Sequence, residues 1–182
     1  MTDYIIENEN SSNHWVYFNV KNNNVLDAGS LNVNGDNKYL FSDCDYTGVD
    51  VGPGPNVDVV SLVHEIDMSN NYDTIISTEM FEHDMYYEKS IKNIMRMLKI
   101  GGLFLFTCAS NGRPEHGTKQ HSSGAAPLLL NIAGWCDYYK NLSENDFRKI
   151  DDFNNVFPGG LFEYNNISHY LYFHGIKQMD YK

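Results

Sequence analysis

Three groups of residues in this 182-residue chain could do chemistry. The first is a glycine directly after an apolar run, in Val25-Leu26-Asp27-Ala28-Gly29-Ser30. Lacking a Cβ, Gly29 lets the backbone approach a ligand that a side chain would exclude, and open α/β sheets hold ligands at the carboxyl ends of their strands. The second is Asp50, which ends the next strand-like stretch, 21 residues after Gly29. A carboxylate at that spacing can accept hydrogen bonds from both ribose hydroxyls of an adenosine. Glycine turns and loop-capping aspartates are each common; their pairing is what points to a nucleotide. The third is His116, in the polar stretch Asn111-Gly112-Arg113-Pro114-Glu115-His116-Gly117-Thr118. An imidazole with a reference pKa of about 6.5 can take a proton from an attacking hydroxyl. The same stretch also reads as a lid whose histidine and arginine bond only to backbone.

These residues must be positioned by an alternation of strands and helices, the pattern of a parallel α/β sheet. Asn24 to Ala28 reads as a first strand, Tyr46 to Val51 as a second, Val57 to Leu62 as a third and Tyr72 to Ser77 as a fourth. Ile91, Ile94, Met95 and Leu98 recur at helical spacing within Tyr86 to Leu98. Gly101-Gly102 is expected to stop that helix, ahead of a fifth strand from Leu103 to Cys108. Ser143 reads as the N-cap of a short helix from Glu144 to Ile150. Leu161 to Tyr164 and His169 to Phe173, joined by Asn165-Asn166 and a few more residues, suit an antiparallel hairpin closing one edge of the sheet. Residues 1 to about 13 are polar and expected to be frayed, and His14 to Val20 could be a short helix covering the sheet. The whole chain, 1–182, reads as a single domain.

Leu26-Asp27-Ala28-Gly29, Gly48-Val49-Asp50, Tyr72 to Ser77, Glu82-His83 and Leu98-Lys99-Ile100-Gly101-Gly102 stand in the order seen in class I S-adenosylmethionine-dependent methyltransferases. The chain resembles that family from about Val25 to Phe173. It looks most similar to a branch of small methyltransferases, some associated with surface glycans. The branch shares Gly29 to Gly35, Ser77 to Asp84 and Gly112 to Thr118. The resemblance implies a Rossmann-like fold: a mostly parallel seven-stranded sheet with an antiparallel C-terminal hairpin and helices on both faces. It implies S-adenosyl-L-methionine as cofactor and O-methylation of a sugar, glycan or small-molecule hydroxyl.

The family's glycine loop has further glycines where this chain has Leu31 and Val33. The methionine end of the cofactor is therefore expected on Ser30, Asn34 and backbone amides. Many relatives read the adenine amine with an aspartate where this chain has Leu62, so backbone around Val63, together with His64, is expected to read it here. Gly29, Ser30, Asn34, Asp50, Val51, Val63, His64 and Thr78 are the expected cofactor-binding residues. His116 is the expected general base, oriented by Glu115 or another carboxylate, with Arg113 available to an acidic acceptor. Glu79 and Asp84 are the further catalytic candidates, Glu79 to offset the sulfonium charge or orient a hydroxyl. His83 reads as a buried structural partner of Glu82. Trp135, Tyr138 and Tyr139 could line an acceptor cleft or pack on the sheet. Carboxylates and histidines near His83 and Asp84 could take a divalent ion, but no spacing demands one and none is expected.

Composition narrows the alternatives. A net charge of −11 argues against an electrostatic grip on nucleic acid or anionic lipid. Three cysteines without a paired spacing fit a reducing compartment and no zinc finger. No apolar run or leader pattern implies a membrane span or export, so a cytoplasmic location is expected. Two rival readings remain: a cofactor-binding scaffold subunit without turnover, and a nicotinamide-dependent oxidoreductase, which would carry a clearer glycine fingerprint.

Overall fold

The computed structural model describes residues 4–5, 17–18 and 23–181. Most of the expected frayed segment and most of the expected helix at His14 to Val20 lie outside the described residues. The described part of them pairs Tyr4–Ile5 (β1) with Tyr17–Phe18 (β2) in an antiparallel ladder, so Tyr17 and Phe18 are strand and not helix.

Seven further strands form one sheet: β3 (Asn24–Ala28), β4 (Asp45–Asp50), β5 (Val59–Val60), β6 (Tyr72–Thr78), β7 (Leu98–Ala109), β8 (Leu161–Asn165) and β9 (Tyr170–Ile176). Their order is β5-β4-β3-β6-β7-β9-β8. Every pairing from β5 through β7 is parallel, and β9 runs antiparallel to both β7 and β8. The order reverses at β3, which has β4 on one side and β6 on the other, so a crevice opens at the carboxyl ends of these strands. Val25 to Ala28 are all buried, as a central parallel strand requires. The third strand is shorter than its apolar run suggests. Val59 and Val60 sit exposed at the sheet edge, and Leu62 turns away toward the crevice.

Helix α1 (Tyr87–Met97) buries Ile91, Ile94, Met95 and Met97. It ends without a glycine cap: Leu98 is already extended and pairs with Tyr72. Gly101 and Gly102 lie inside β7, where the Gly101 amide donates to the Lys177 carbonyl at 2.8 Å and the Lys177 amide to Gly102 at 2.9 Å. The glycines therefore shape a strand irregularity and do not stop the helix. Helices α2 (Glu144–Arg148) and α3 (Phe153–Val156) follow. Ser143 does open α2, its amide and hydroxyl both donating to Asp146 Oδ2 at 2.9 and 2.6 Å.

All three α-helices contribute to one core with Leu26, Ile75, Phe104 and Phe106 of the sheet. Aromatic rings dominate it. Phe106 lies 4.5 Å from Phe147, and Phe162 lies 4.6 Å from Phe173, centroid to centroid. Buried aromatics contribute large apolar area and fixed contact geometry, which makes this side of the sheet a rigid base for the strand ends. No helix among the described residues is long and apolar enough to cross a membrane.

Candidate active site

A cleft of about 500 Å³ opens at the carboxyl ends of β3, β4 and β6. Its floor is Gly29, at φ +82°. A Cβ built there would come 2.7 Å from the Met80 Cβ, so the glycine is needed for Met80 to cross as well as for any ligand. Asp50 stands on the neighbouring strand end and lines the same cleft. Its Oδ2 accepts from the Leu31 amide at 3.0 Å and its Oδ1 from the Val51 amide at 2.7 Å. Each carboxylate oxygen keeps a second lone pair for a ribose hydroxyl. Burial raises the Asp50 pKa, and the two amides oppose the rise.

The glycine-poor loop holds its shape with its own side chains. Asn32 donates to Asp36 at 2.6 Å and accepts from the Gly35 amide at 3.0 Å. Leu31, Val33 and Asn34 then line the cleft. Ser30 does not: it is buried, and its hydroxyl donates to the Asn56 carbonyl at 2.9 Å, away from the cleft where it was expected to meet the cofactor. Leu62 and Val63 line the wall expected to face adenine, with Val51 nearby. His64 lies outside that lining and packs edge-on against Tyr86, centroids 5.0 Å apart. Thr78 lines the cleft and its Oγ1 accepts from Asn37 at 3.3 Å. The opposite wall is Ala125 to Leu129 with Trp135. Trp135 is thus a cleft residue, whereas Tyr138 is not among the lining residues.

The far end of the cleft is made by the turn after β6. Glu79 adopts a left-handed φ of +54°, a conformation that costs a non-glycine residue about 1–3 kcal/mol. It accepts from the Thr107 hydroxyl through Oε1 at 2.7 Å, while Oε2 is buried without a partner among the described residues. Asp84 also lines the cleft, but both its oxygens are occupied in starting α1: Oδ1 accepts from the Tyr86 amide at 2.8 Å and Oδ2 from the Ser90 hydroxyl at 2.5 Å. Asp84 thus has a structural role at the start of α1 beside the catalytic one expected of it, and each oxygen keeps a second lone pair.

His116 does not line the cleft. The loop after β7 lays it against His83, ring centroids 5.1 Å apart, and against Tyr139 at 4.9 Å. The loop can come this close because Gly117 faces His83: a Cβ there would lie 2.5 Å from the His83 Cε1. His116 Nδ1 is 3.0 Å from the Pro114 carbonyl, which assigns the ring proton to Nδ1 and leaves a lone pair on Nε2. Nε2 lies 3.9 Å from Glu82 Oε1. The orienting group is thus a carbonyl and not Glu115, which accepts from the Thr118 hydroxyl at 2.8 Å. Arg113 is likewise engaged, donating to the Tyr170 hydroxyl at 2.9 Å.

Glu82 is fully buried, and neither of its oxygens has a partner at good hydrogen-bond geometry among the described residues. Burial and then the Glu79 carboxylate push its pKa well up, with the amides of Glu82 and Ala109 acting the other way. His83 is pushed down to about 4, chiefly by burial and then by His116. Glu82 and His83 match the expected buried pair in burial. The structure brings them against His116, and the exposed lumen reaches this cluster through His83 and Glu79.

No protein-family model matches the chain, and no curated protein matches it in sequence. Solved structures do share its fold. A 1,6-didemethyltoxoflavin N1-methyltransferase from Burkholderia thailandensis, solved with S-adenosylhomocysteine, is 17% identical with a TM-score of 0.59, over 87% of this chain and 72% of that one. NodS, an N-methyltransferase from Bradyrhizobium japonicum also solved with S-adenosylhomocysteine, is 13% identical with a TM-score of 0.57, over 87% and 80%. A phosphoethanolamine N-methyltransferase from Haemonchus contortus, in complex with S-adenosyl-L-methionine, is 15% identical with a TM-score of 0.58; the match covers 87% of this chain but about half, 49%, of that one. The sheet order and the antiparallel C-terminal strands are those of this Rossmann-like methyltransferase fold.

Proposed function

We propose that the chain is an S-adenosylmethionine-dependent methyltransferase acting on a hydroxyl of a sugar, glycan or other small molecule. The observation that carries this reading is the shared cleft of Gly29 and Asp50, an open floor and a ribose-spaced carboxylate at adjacent strand ends. Gly29, Asn34, Asp50, Val51, Val63 and Thr78 remain the cofactor residues in this reading. The fold's neighbours support it, since several hold the cofactor or its demethylated product.

The reaction is a direct displacement. The acceptor oxygen bonds to the methyl carbon, and the carbon–sulfur pair returns to sulfur as the neutral thioether. The hydroxyl proton must leave. Oxygen is favoured as acceptor by Glu79 and His83 at the far end of the cleft, with His116 behind His83, groups that suit activation of a hydroxyl. Nothing in the neighbours selects oxygen, since they methylate other atoms. The net charge of −11 favours an acceptor other than nucleic acid.

Calorimetric titration tests the reading. S-adenosylhomocysteine should bind and NADH should not; NADH binding without S-adenosylhomocysteine binding would turn the reading toward an oxidoreductase. Leu31 and Val33, standing where the family has glycines, also fit a scaffold subunit. That second reading predicts cofactor binding with no methyl transfer to any sugar hydroxyl.

A further inference from the structure

The cluster behind His83 holds more unsatisfied donor atoms than a structural network tolerates. Both Glu82 oxygens, Glu79 Oε2 and His83 Nδ1 are buried and lack a partner at good hydrogen-bond geometry among the described residues, although the Glu79 and Glu82 carboxyls lie against each other and the amides of Glu82 and Ala109 lie near Glu82. A buried polar atom left unpaired costs about 1–3 kcal/mol, so native structures rarely place several together without something to satisfy them. One donor atom from each of Glu82, His83 and His116 lies within 4.8 Å of the others. An ion with bonds of about 2.1 Å would hold such atoms roughly 3 to 4 Å apart, a small closure from this arrangement.

We infer that Glu82, His83 and His116 form a binding site for a divalent transition-metal ion that opens onto the cleft. The chemistry of each donor fits. His116 bonds a backbone carbonyl through Nδ1 at 3.0 Å, which fixes the ring and presents Nε2, the arrangement that supports most metal-binding histidines. His83 offers a bare buried Nδ1, and Gly117 leaves room beside it. Glu82 supplies the negative charge that offsets the cation in a buried place. Two imidazoles and one carboxylate suit manganese, iron, cobalt or zinc better than calcium or magnesium, which take oxygen ligands. Three protein ligands leave positions open, as in catalytic rather than structural sites.

Glu79 and His83 also line the cleft, so an acceptor can reach an open position. A hydroxyl bound there would lose its proton to water more readily, and the oxygen would then attack the methyl carbon. This last consequence rests on the methyl-transfer reading; the ion site itself does not. It also reverses the expectation that no divalent ion is bound near His83.

The test is titration of manganese(II) chloride into wild type, Glu82→Gln and His116→Ala, followed by calorimetry and by the electron paramagnetic resonance signal of the bound ion. Wild type should take one ion per chain, and both variants should bind it more than about 10-fold more weakly. Metal-free Glu82→Gln should melt at or above the wild-type temperature, because a buried carboxyl whose charged form is disfavoured by burial and by Glu79 is replaced by a neutral group of the same shape. A wild type that takes neither manganese nor zinc, or variants that bind manganese like wild type, would overturn the site. S-adenosylhomocysteine titrated into the same three proteins separates the two proposals. Its retention without metal binding defeats the ion site alone. Metal binding without it supports the ion site and defeats the methyltransferase reading.

Discussion

The two ends of the cleft are built on opposite rules. At the Asp50 end, both oxygens of that carboxylate accept backbone amides and the adjoining loop is tied by Asn32. Polar groups there are satisfied before any ligand arrives, so the end is a preset mould. At the other end, carboxylate and imidazole atoms are buried and left without partners. Against a total stability of 5–15 kcal/mol for a typical domain, that cost is large and must be offset elsewhere, here by the phenylalanine core beneath the strand ends. The contrast teaches that satisfied polar groups mark what holds shape, and orphaned ones mark where something is to be bound.

The largest effect should follow from His116. His116→Ala is expected to lower turnover about 100- to 10,000-fold while leaving S-adenosylhomocysteine affinity nearly unchanged. Steady-state kinetics at saturating cofactor measure it; a limiting rate within a few-fold of wild type would break the contrast by making the orphaned end inert.

A second test asks whether an orphaned oxygen alone is enough. Asp27 is buried outside the cleft, with Oδ2 accepting from the Tyr46 hydroxyl and Oδ1 unpartnered. Burial is the main cause that raises its pKa to about 7. The folded state therefore holds a proton that the unfolded state releases above about pH 4. Stability is lost as pH rises from about 4 to about 7, after which the loss is complete. Asp27→Asn should remove that slope and gain up to about 4 kcal/mol at pH 8 relative to pH 3. Denaturant melts across pH report it, and equal slopes in the two proteins would refute the assignment.

At the satisfied end the effects should be smaller. Asp50→Ala should weaken S-adenosylhomocysteine by about 1.5–3 kcal/mol through loss of a charge-assisted contact, and calorimetry at unchanged affinity would place the ribose elsewhere. Ser30→Ala should change that affinity by no more than about 2-fold, since its hydroxyl bonds to Asn56 and not to the cleft. A larger loss in a variant that still melts near the wild-type temperature would return Ser30 to the cofactor set.

Legibility followed the same division. Gly29 and Asp50 were readable because a strand fixes where its last residue lies, and apolar runs mark the strands. The direction in which Ser30 and His64 point was not, because it depends on local turns that no spacing encodes. The second task of Asp84 was hidden for a related reason: a carboxylate after a strand gives no sign that it also starts the first turn of α1. The Glu82–His83–His116 cluster was least visible. His116 lies 33 residues after His83, and only the return of the loop over His83, permitted by Gly117, brings them together. The local motif Glu82-His83 gave no sign of its third member. The short third strand and the glycines inside β7 were missed because edge exposure and strand irregularities are tertiary outcomes.

One connection, the chain between β7 and α2, does two jobs: it carries His116 and Gly117 onto His83, and it supplies Leu128 and Trp135 to the cleft wall. In the methyl-transfer reading proposed above, the two halves of the cycle are thereby placed on a common clock. In that reading, a swing of this segment wide enough to let the spent cofactor out would also disturb the place proposed for acceptor activation, and product departure and the arrival of the next acceptor would be kinetically entangled. An exchange of this one excursion between related chains would therefore alter which acceptor is taken and how long the nucleoside stays, together and in a single step.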